Sequence, residues 1–493
     1  MLTGLHSTSN YTQDRYNSLK DVEGRIFRVY RDSFGIPTIG VGINLNTSST
    51  NLNAVLAQLG FDINGTLLTG AAWIAEQKYM EQIREAAKVK YATNTAVQAA
   101  LDGILKERAR DSSYDTSFIR RTIFKFNNET ESKNAFDAII GSYESRVDSR
   151  LGYSKERIAL VSLAYNSKTG ATDLLGGKLM AAINNDNRAE AWYEIRYNSN
   201  LNKIHANRRY QEADLFGLYD SGTLTPDQQT AQAKEIMRMF TRYEVENLSG
   251  TKLTEYEQTY PPPGDIDYIV KSIEPASDLL VTNFAMGNTI DGWVIVGKGL
   301  DSYNYIDKGN WADNLGGSDS QNDLMFGEKG NDKLYGYGGN DVIYGGEGND
   351  ILIGGVGNDT LMGGENDDTY IINAGDGNDT IEDKQGKNKV MFCGEEINFF
   401  YQDGDGYVSI SGNLTASIVD GHFDVTDGNG TTVRLNEEFQ WGDFGTTLID
   451  LPDDNVLCYT SPIRLCEGKQ FHEIAASSRQ SGTPRNDCFS NIV

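Results

Sequence analysis

The chain has 493 residues and a net charge of −26, and that charge is very unevenly placed. Residues 1–250 hold 30 Lys+Arg and 29 Asp+Glu, a net of +1, whereas residues 251–493 hold 14 and 41, a net of −27. The length exceeds a single core, and the acidic half is a poor partner for nucleic acid and a good one for cations. No run of 18 apolar residues is present, so no transmembrane segment is expected.

Residues 1–14 are a polar tail, and Met1–Lys20 lacks the apolar stretch of a cleavable secretory signal. Residues 15–250 read as one domain, mainly helical with a small β-hairpin. Helical spacing is expected through Val22, Ile26, Val29 and Tyr30, and again through Ile158, Leu160, Val161, Leu163 and Ala164 after an N-cap at Ser154. Between them, Tyr30–Leu45 combines turn residues with β-branched positions, as a hairpin does. An insertion near 90–135 includes the Arg- and aromatic-rich stretch 114–126, either a lobe or a surface helix pair. Residues 225–249 read as one more helix, and 251–265, with Pro261, Pro262, Pro263 and Gly264, as a linker. A β lead-in is expected over 266–317, a repeat tract over 318–382, further β-structure over 383–450 and a cysteine-bearing tail over 451–493.

The hairpin region carries Glu23, Asp32 nine residues on and Thr38 six further, within Gly35-Ile36-Pro37-Thr38-Ile39-Gly40-Val41-Gly42. A Glu on a helix and an Asp in a turn are ordinarily just solvated surface residues; the glycine-and-threonine context singles these out. On a helix, Glu23 would share a stripe with Phe27 and Tyr30. An apolar flank of that kind raises a carboxyl pKa, as a general acid requires, while Asp32 beside Ser33 would stay ionised. Glycoside hydrolysis uses such a carboxyl pair. The region resembles phage-type lysozymes, the endolysin-like glycoside hydrolases. Ala159–Asn166 is similar to that family's core helix, and Arg208-Arg209 with Glu212 and Leu215 to its C-terminal Arg-Arg-x-x-Glu-x-x-Leu stretch. The resemblance implies an α+β lysozyme-like domain with Glu23 as acid, Asp32 and Thr38 positioning a water, an inverting outcome, and peptidoglycan glycan strands as partner. The family often has His after the last hairpin Gly, where this chain has Ile43 and Asn44. Local basic clusters (Arg25, Arg28 and Arg31; Arg120 and Arg121) suit an anionic polymer. No groove-reading motif and no nucleophilic Ser or Cys context is present.

The sharpest feature is a period of nine. Aspartate recurs at Asp323, Asp332, Asp341, Asp350, Asp359 and Asp368 and, after a two-residue insertion, at Asp379. Two positions after each sits an apolar or aromatic residue, from Met325 and Leu334 through Ile381. Glycines precede the aspartates, among them Gly330, Gly339, Gly346, Gly348, Gly355 and Gly357. A flexible Gly/Asp linker would not keep both residues in one register. With two nonapeptides per coil, Asp323, Asp341 and Asp359 would stack on one edge and Asp332, Asp350 and Asp368 on the other. Strands ~4.8 Å apart bring like charges into repulsion of ~1 kcal/mol per pair even in water. A hard dication removes that penalty, and carboxylate with carbonyl oxygen is the donor set calcium prefers. Glycines supply the positive-φ turns that aim carbonyls inward. The pattern resembles the glycine-rich nonapeptide repeats of the RTX family, whose fold is a parallel β-roll. Several structural Ca2+ ions are expected, with weaker sites at the ends, where Gln321 and Asn366 replace glycine. The resemblance also implies export through a type I secretion apparatus and folding outside the cell.

The cysteines, Cys393, Cys458, Cys466 and Cys488, fit two disulfides or four buried thiols equally well. The expectation is therefore a multidomain, secreted, extracellular muramidase with a calcium-dependent roll. Its rivals are a non-catalytic calcium-dependent surface or adhesion protein and a phage-tail-type structural lysozyme. A pore-forming toxin is disfavoured by the lack of long apolar helices.

Overall fold

The computed structural model describes residues 5–24, 26–32, 36–46, 48–115, 117–118, 120–147, 149–166, 174–198, 206–219, 224–245, 251–262, 268–290, 292–297, 313–449, 457–458 and 464–465. Cys466, Cys488 and the side chain of Cys458 lie outside what is described, and with them the disulfide expectation. Among the described residues, twelve α-helices are followed by a parallel β-solenoid of about four turns. Two units divide the chain: 1–224 with 258–266, and 225–257 with 267–493.

In the first unit, helix Tyr11–Glu23 ends at Gly24, whose φ of 74° stops a helix. The chain then forms strand Ile26–Arg31, so the helical reading of Val22–Tyr30 is corrected. The run Ile-Phe-Arg-Val-Tyr is β-branched and aromatic at nearly every position, and that composition favours a strand. The strand pairs antiparallel with Pro37–Gly40, Tyr30 opposite Thr38, and Pro37–Gly40 pairs with Ile43–Asn44. Ser154 caps helix Lys155–Tyr165, accepting from the Arg157 amide at 3.2 Å. Every residue from Ile158 to Ala164 in that helix is buried.

Residues 90–135 are part of this core and not an appended lobe. Val97, Leu101 and Leu105 of helix Asn94–Arg110 share one apolar cluster with Phe124, Phe126, Ile39 and Ile43. The Phe126 amide also donates to the Phe27 carbonyl at 2.9 Å. Within the cluster Arg108 and Glu76 are both fully buried and joined by two contacts, 2.7 and 2.8 Å. Glu76 also accepts from the Tyr114 hydroxyl at 2.6 Å and the Asp62 amide at 2.9 Å.

The second unit starts with helix Pro226–Phe240, introduced by a capping box at Thr225 and Gln228. This helix therefore leaves the lysozyme-like boundary expected to run to 250. The expected linker contains helix Leu253–Thr259, and the expected β lead-in opens with helix Tyr268–Phe284. Pro275 lies inside that helix. Its buried stripe of Ile269, Ile273, Ala276 and Leu280 nonetheless keeps helical spacing, and burial outweighs the single lost hydrogen bond.

The solenoid alternates strands between two parallel stacks. One runs Val294–Val296, Leu324–Lys329, Val342–Glu347, Thr360–Glu365 and Asn378–Ile381; the other Asn314–Gly316, Lys333–Gly338, Ile351–Val356, Thr369–Ile372 and Lys389–Phe392. From Leu324 and Lys333 onward stacked partners differ by 18 residues until the two-residue insertion, after which Thr360 pairs Thr380 and Thr369 pairs Lys389. The residue two after each aspartate fills the interior: Met325, Leu334, Ile343, Leu352, Leu361, Tyr370 and Ile381 are all fully buried. This thin core continues without a break into the C-terminal β-structure. There Thr432–Leu435 pairs parallel with Asn378–Ile381 and begins an antiparallel meander, whose Phe400, Phe423, Phe439 and Trp441 close the open end of the roll.

Removing one partner of a buried ion pair strands the other charge. Arg108→Ala is therefore expected to destabilise the first unit by ~3–5 kcal/mol. Thermal unfolding in excess calcium checks this, and an unchanged melting midpoint would refute it.

Candidate functional site

The aspartates of the roll are linked coil to coil through their backbones. The Asp323 amide donates to Asp341 Oδ1 at 2.7 Å, that of Asp341 to Asp359 at 2.7 Å, and that of Asp359 to Asp379 at 2.9 Å. On the other edge the Asp332 amide donates to Asp350 at 2.7 Å and that of Asp350 to Asp368 at 2.8 Å. One carboxylate oxygen is thus committed to the coil before it. The other oxygen, Oδ2, of Asp341, Asp350, Asp359 and Asp379 is buried and takes no hydrogen bond among the described residues. A buried anionic oxygen left bare is strongly unfavourable, so these atoms mark where a cation is needed.

The glycines complete the cradle. A Cβ at Gly327 would stand 2.6 Å from the Gly345 carbonyl oxygen and 2.7 Å from Asp332 Oδ2. One at Gly345 would meet the Gly363 carbonyl oxygen at 2.5 Å with Asp350 Oδ2 beside it. Carboxylate and carbonyl oxygens therefore converge on space that only glycine leaves open. Among the described residues no three His, Cys, Asp or Glu side chains gather into a metal cluster, so backbone carbonyls must supply part of any ligand shell. Calcium accepts such an all-oxygen set, whereas zinc does not favour it. At Gly348, with φ of 138°, a Cβ would overlap the Gly330 carbonyl, so the turns as well as the cradle require glycine.

Burial pushes the carboxyls up, to about 7 at Asp341, 6 at Asp350, 8 at Asp359 and 7 at Asp379. Asp368 and Asp383 are raised together, again first by burial, and Asp383 accepts the Tyr370 hydroxyl at 2.5 Å.

Three overlapping stretches, 318–352, 335–370 and 344–381, match the RTX calcium-binding nonapeptide repeat in four copies. Residues 318–381 are RTX calcium-binding repeats. No curated protein matches the chain. The RTX roll binds calcium structurally, and the bare Oδ2 atoms with their glycine carbonyls are the donors that fit the ion.

The RTX pattern hides a second ladder that the sequence analysis missed. The Asn340 amide donates to Asn322 Oδ1 at 2.6 Å, that of Asn349 to Asn331 at 2.9 Å, that of Asn358 to Asn340 at 2.8 Å, and that of Asn378 to Asn358 at 2.9 Å. It runs in the opposite direction to the aspartate ladder. The signal was present, since an Asn precedes the Asp in most repeats. Where the aspartate register ends, Asn388 and Asn436 accept the amides of Asp368 and Asp383, and their own amide groups donate to the carbonyls of Gln385 and Asp383. An amide there fills both roles, so no bare oxygen remains. At the weak repeat, Asn366 takes a φ of 85°, which Asn tolerates better than other side chains.

In the first unit, Glu23, Asp32 and Thr38 gather around Tyr30. Tyr30 lies opposite Thr38 across the strands. Burial pushes its hydroxyl up to about 12, with the negative charges of Glu23 and Asp32 adding to the shift. Asp32 Oδ1 accepts the Ile36 amide at 2.9 Å, and Thr38, almost fully buried, donates to the Ile36 carbonyl at 3.3 Å. Phe27 and Tyr30 lie on a strand, so the helix stripe expected to flank Glu23 does not form. Its neighbours are the Arg208 guanidinium, paired with Oε1, and Gly42, where a Cβ would come 2.9 Å from Oε2. Arg208 is held by Glu212 Oε1 at 3.0 Å and by the Ser162 carbonyl at 3.1 Å, and Tyr165 donates to the Val41 carbonyl at 2.8 Å. Beside this group a cleft of about 490 Å³ is lined by Asp21, Val22, Asn207, Arg208, Gln211 and Tyr260.

The raised aspartates give the pH dependence its sign. Folded-state values above the ordinary 3.8 mean that the calcium-free roll is most stable below about pH 4 and loses that stability as pH rises through 6–8. Calcium competes with those protons. Apparent calcium affinity is therefore expected to rise between pH 6 and pH 8 with release of protons on binding. Calorimetry in buffers of different ionisation enthalpy measures this, and a pH-independent affinity would refute it.

Proposed function

We propose that the chain is a secreted, lysozyme-like glycoside hydrolase acting on β-1,4 bonds of bacterial peptidoglycan, with an RTX roll that folds on meeting calcium. The observation that carries the reading is Glu23 at the end of its helix, fixed by Arg208, with Asp32 and Thr38 gathered around the same tyrosine. Glu23 would protonate the leaving oxygen, and Asp32 with Thr38 would orient the attacking water. Arg208 acts as a positioning residue: it commits Oε1 and leaves Oε2 beside Gly42. The match between Arg208-Arg209-x-x-Glu212 and the lysozyme-like stretch gains weight because Arg208 reaches Glu23 from 185 residues away.

Secretion is supported by the RTX repeats, which are typical of type I secreted proteins. It is consistent with this that, among the described residues, no helix is long and apolar enough to cross a membrane. At low calcium the acidic half would stay unfolded, as a chain threaded through an export channel must be, and external calcium would then fold it.

Clearing of a peptidoglycan suspension in millimolar calcium is the direct test, with mass spectrometry of the fragments to identify the bond. Glu23→Gln should lose ~100- to 10,000-fold in rate with calcium binding intact. Inertness of the folded parent protein would sink the proposal. Gly42→Ala should displace Glu23 and lower the rate by up to ~100-fold, again without touching the roll. Unchanged clearing by that variant would count against Glu23 as the acid.

A further inference from the structure

The glycines that open the cradles on one edge of the roll stack in register at Gly327, Gly345 and Gly363. The first two each face one carboxylate and one carbonyl: Asp332 Oδ2 with the Gly345 carbonyl, then Asp350 Oδ2 with the Gly363 carbonyl. The two-residue insertion then shifts the register, so that Thr360 and Leu361 pair with Thr380 and Ile381. The Glu382 amide follows, donating to the Leu361 carbonyl at 3.1 Å. Continued by two residues, that register sets Asp383 next in the column, where the three coils before it have glycine. A second departure falls on the same coil. The residue two after each repeat aspartate is aliphatic or methionine everywhere except at Tyr370.

Both departures meet at Gly363. A Cβ there would stand 2.5 Å from the Tyr370 hydroxyl oxygen and would overlap Asp368 Oδ2. The hydroxyl accepts the Gly363 amide at 2.6 Å and donates to Asp383 Oδ2 at 2.5 Å, which leaves it one lone pair. Asp368 Oδ1 accepts the Asp350 amide at 2.8 Å. Its Oδ2 takes no hydrogen bond among the described residues, in a residue only 1% exposed. The Asp368 and Asp383 carboxyls lie within hydrogen-bonding reach of each other. The Gly363 N–H and the Tyr370 O–H are both spent, so neither can neutralise Asp368. Two buried carboxylates in contact need either a shared proton or a cation. Here three oxygens keep lone pairs to spare and two of them are anionic, the hard donor set that calcium takes.

We propose that the Gly363 cradle is a closing calcium site of the roll, with Asp368, Asp383 and the phenolic oxygen of Tyr370 as its side-chain ligands. Asp383 lies past the residues that match the repeat, which end at 381. The site uses two carboxylates where Gly327 and Gly345 face one, so it holds its ion more tightly than they do. The C-terminal β-structure fixes the added ligand. Asn436, next after strand Thr432–Leu435, accepts the Asp383 amide at 2.7 Å and donates to the Asp383 carbonyl at 2.8 Å. Phe444 packs edge-on against Tyr370, with ring centroids 6.0 Å apart. The meander thus does more than cover the open end of the roll, because it sets the last ligand in place.

The test is calcium binding to the full chain, by equilibrium dialysis and calorimetry, in Asp383→Asn and Tyr370→Phe. At calcium low enough to fill only the tightest site, Asp383→Asn should bind one ion fewer than the parent. The affinity for that ion should fall roughly tenfold or more, with folding at saturating calcium retained. Tyr370→Phe should weaken the same ion. Terbium reports the phenol directly, because a lanthanide takes calcium's oxygen ligands and emits when a neighbouring tyrosine is excited. The first equivalent of terbium should emit strongly in the parent and weakly in Tyr370→Phe. An ion count and affinities unchanged in Asp383→Asn overturn the site and leave the two aspartates sharing a proton. Tighter binding or an extra ion in Tyr370→Phe also overturns it and makes the hydroxyl a plug. Should Asp383→Asn fail to fold in saturating calcium, the terbium emission of Tyr370→Phe decides alone, and emission equal to the parent's sinks the proposal. Neither readout depends on the chemistry proposed for Glu23.

Discussion

One contact governs the C-terminal half: an aspartate that gives one oxygen to the backbone of the preceding coil and keeps the other bare. The first oxygen fixes the spacing between coils, for the amide of Asp341 can reach Asp359 only if the strands are in register. The second oxygen makes that register unfavourable unless a cation or a proton is present. A thin core of one to three buried apolar side chains per nonapeptide cannot outweigh both the ordering entropy and a column of stranded charges. The roll is therefore conditional by construction, and its condition is calcium.

The opposed asparagine ladder shows how the same backbone need is met without charge. Asn340 and Asn358 join coils along the outer turns, where solvent is close and no ion is required. The ends of the aspartate column use the same chemistry. Asn388 and Asn436 accept an amide as an aspartate would and donate with the atom that an aspartate would leave bare. The boundary of the calcium register is thus set by which of two nearly isosteric side chains occupies one position.

How much of this could be read in the sequence depends on how local the determining contacts are. The roll was legible because each coil repeats the last. Period, apolar position and both aspartate edges follow from spacing alone, and the strand register places Asp323, Asp341 and Asp359 on one edge. The helix at 226–240 was legible too, whereas that at 268–284 fell within the expected β lead-in. Pro275 lies inside this helix, whose buried stripe packs against helix Pro226–Phe240. Gly24 ended the first helix where the periodicity alone suggested continuation. Least legible was the pairing of Arg208 with Glu23, since no spacing rule links residues so far apart. The motif indicated that both mattered without indicating that they touch.

The two units also respond to different conditions. The first is held by a buried Arg108–Glu76 pair, an apolar cluster and capped helices, none of which involves a cation. Its near-neutral charge gives it no electrostatic reason to stay open. Calcium should therefore leave the carboxylates around Tyr30 untouched and act only on the roll. On this reading the metal switches where the chain folds and what the roll can hold, while the chemistry proposed for Glu23 depends on packing alone. The positive-φ turn at Glu328 sharpens the distinction: it lies within the calcium-dependent coils, so its hold on Lys234 and Arg238 forms only after calcium has set those coils in place.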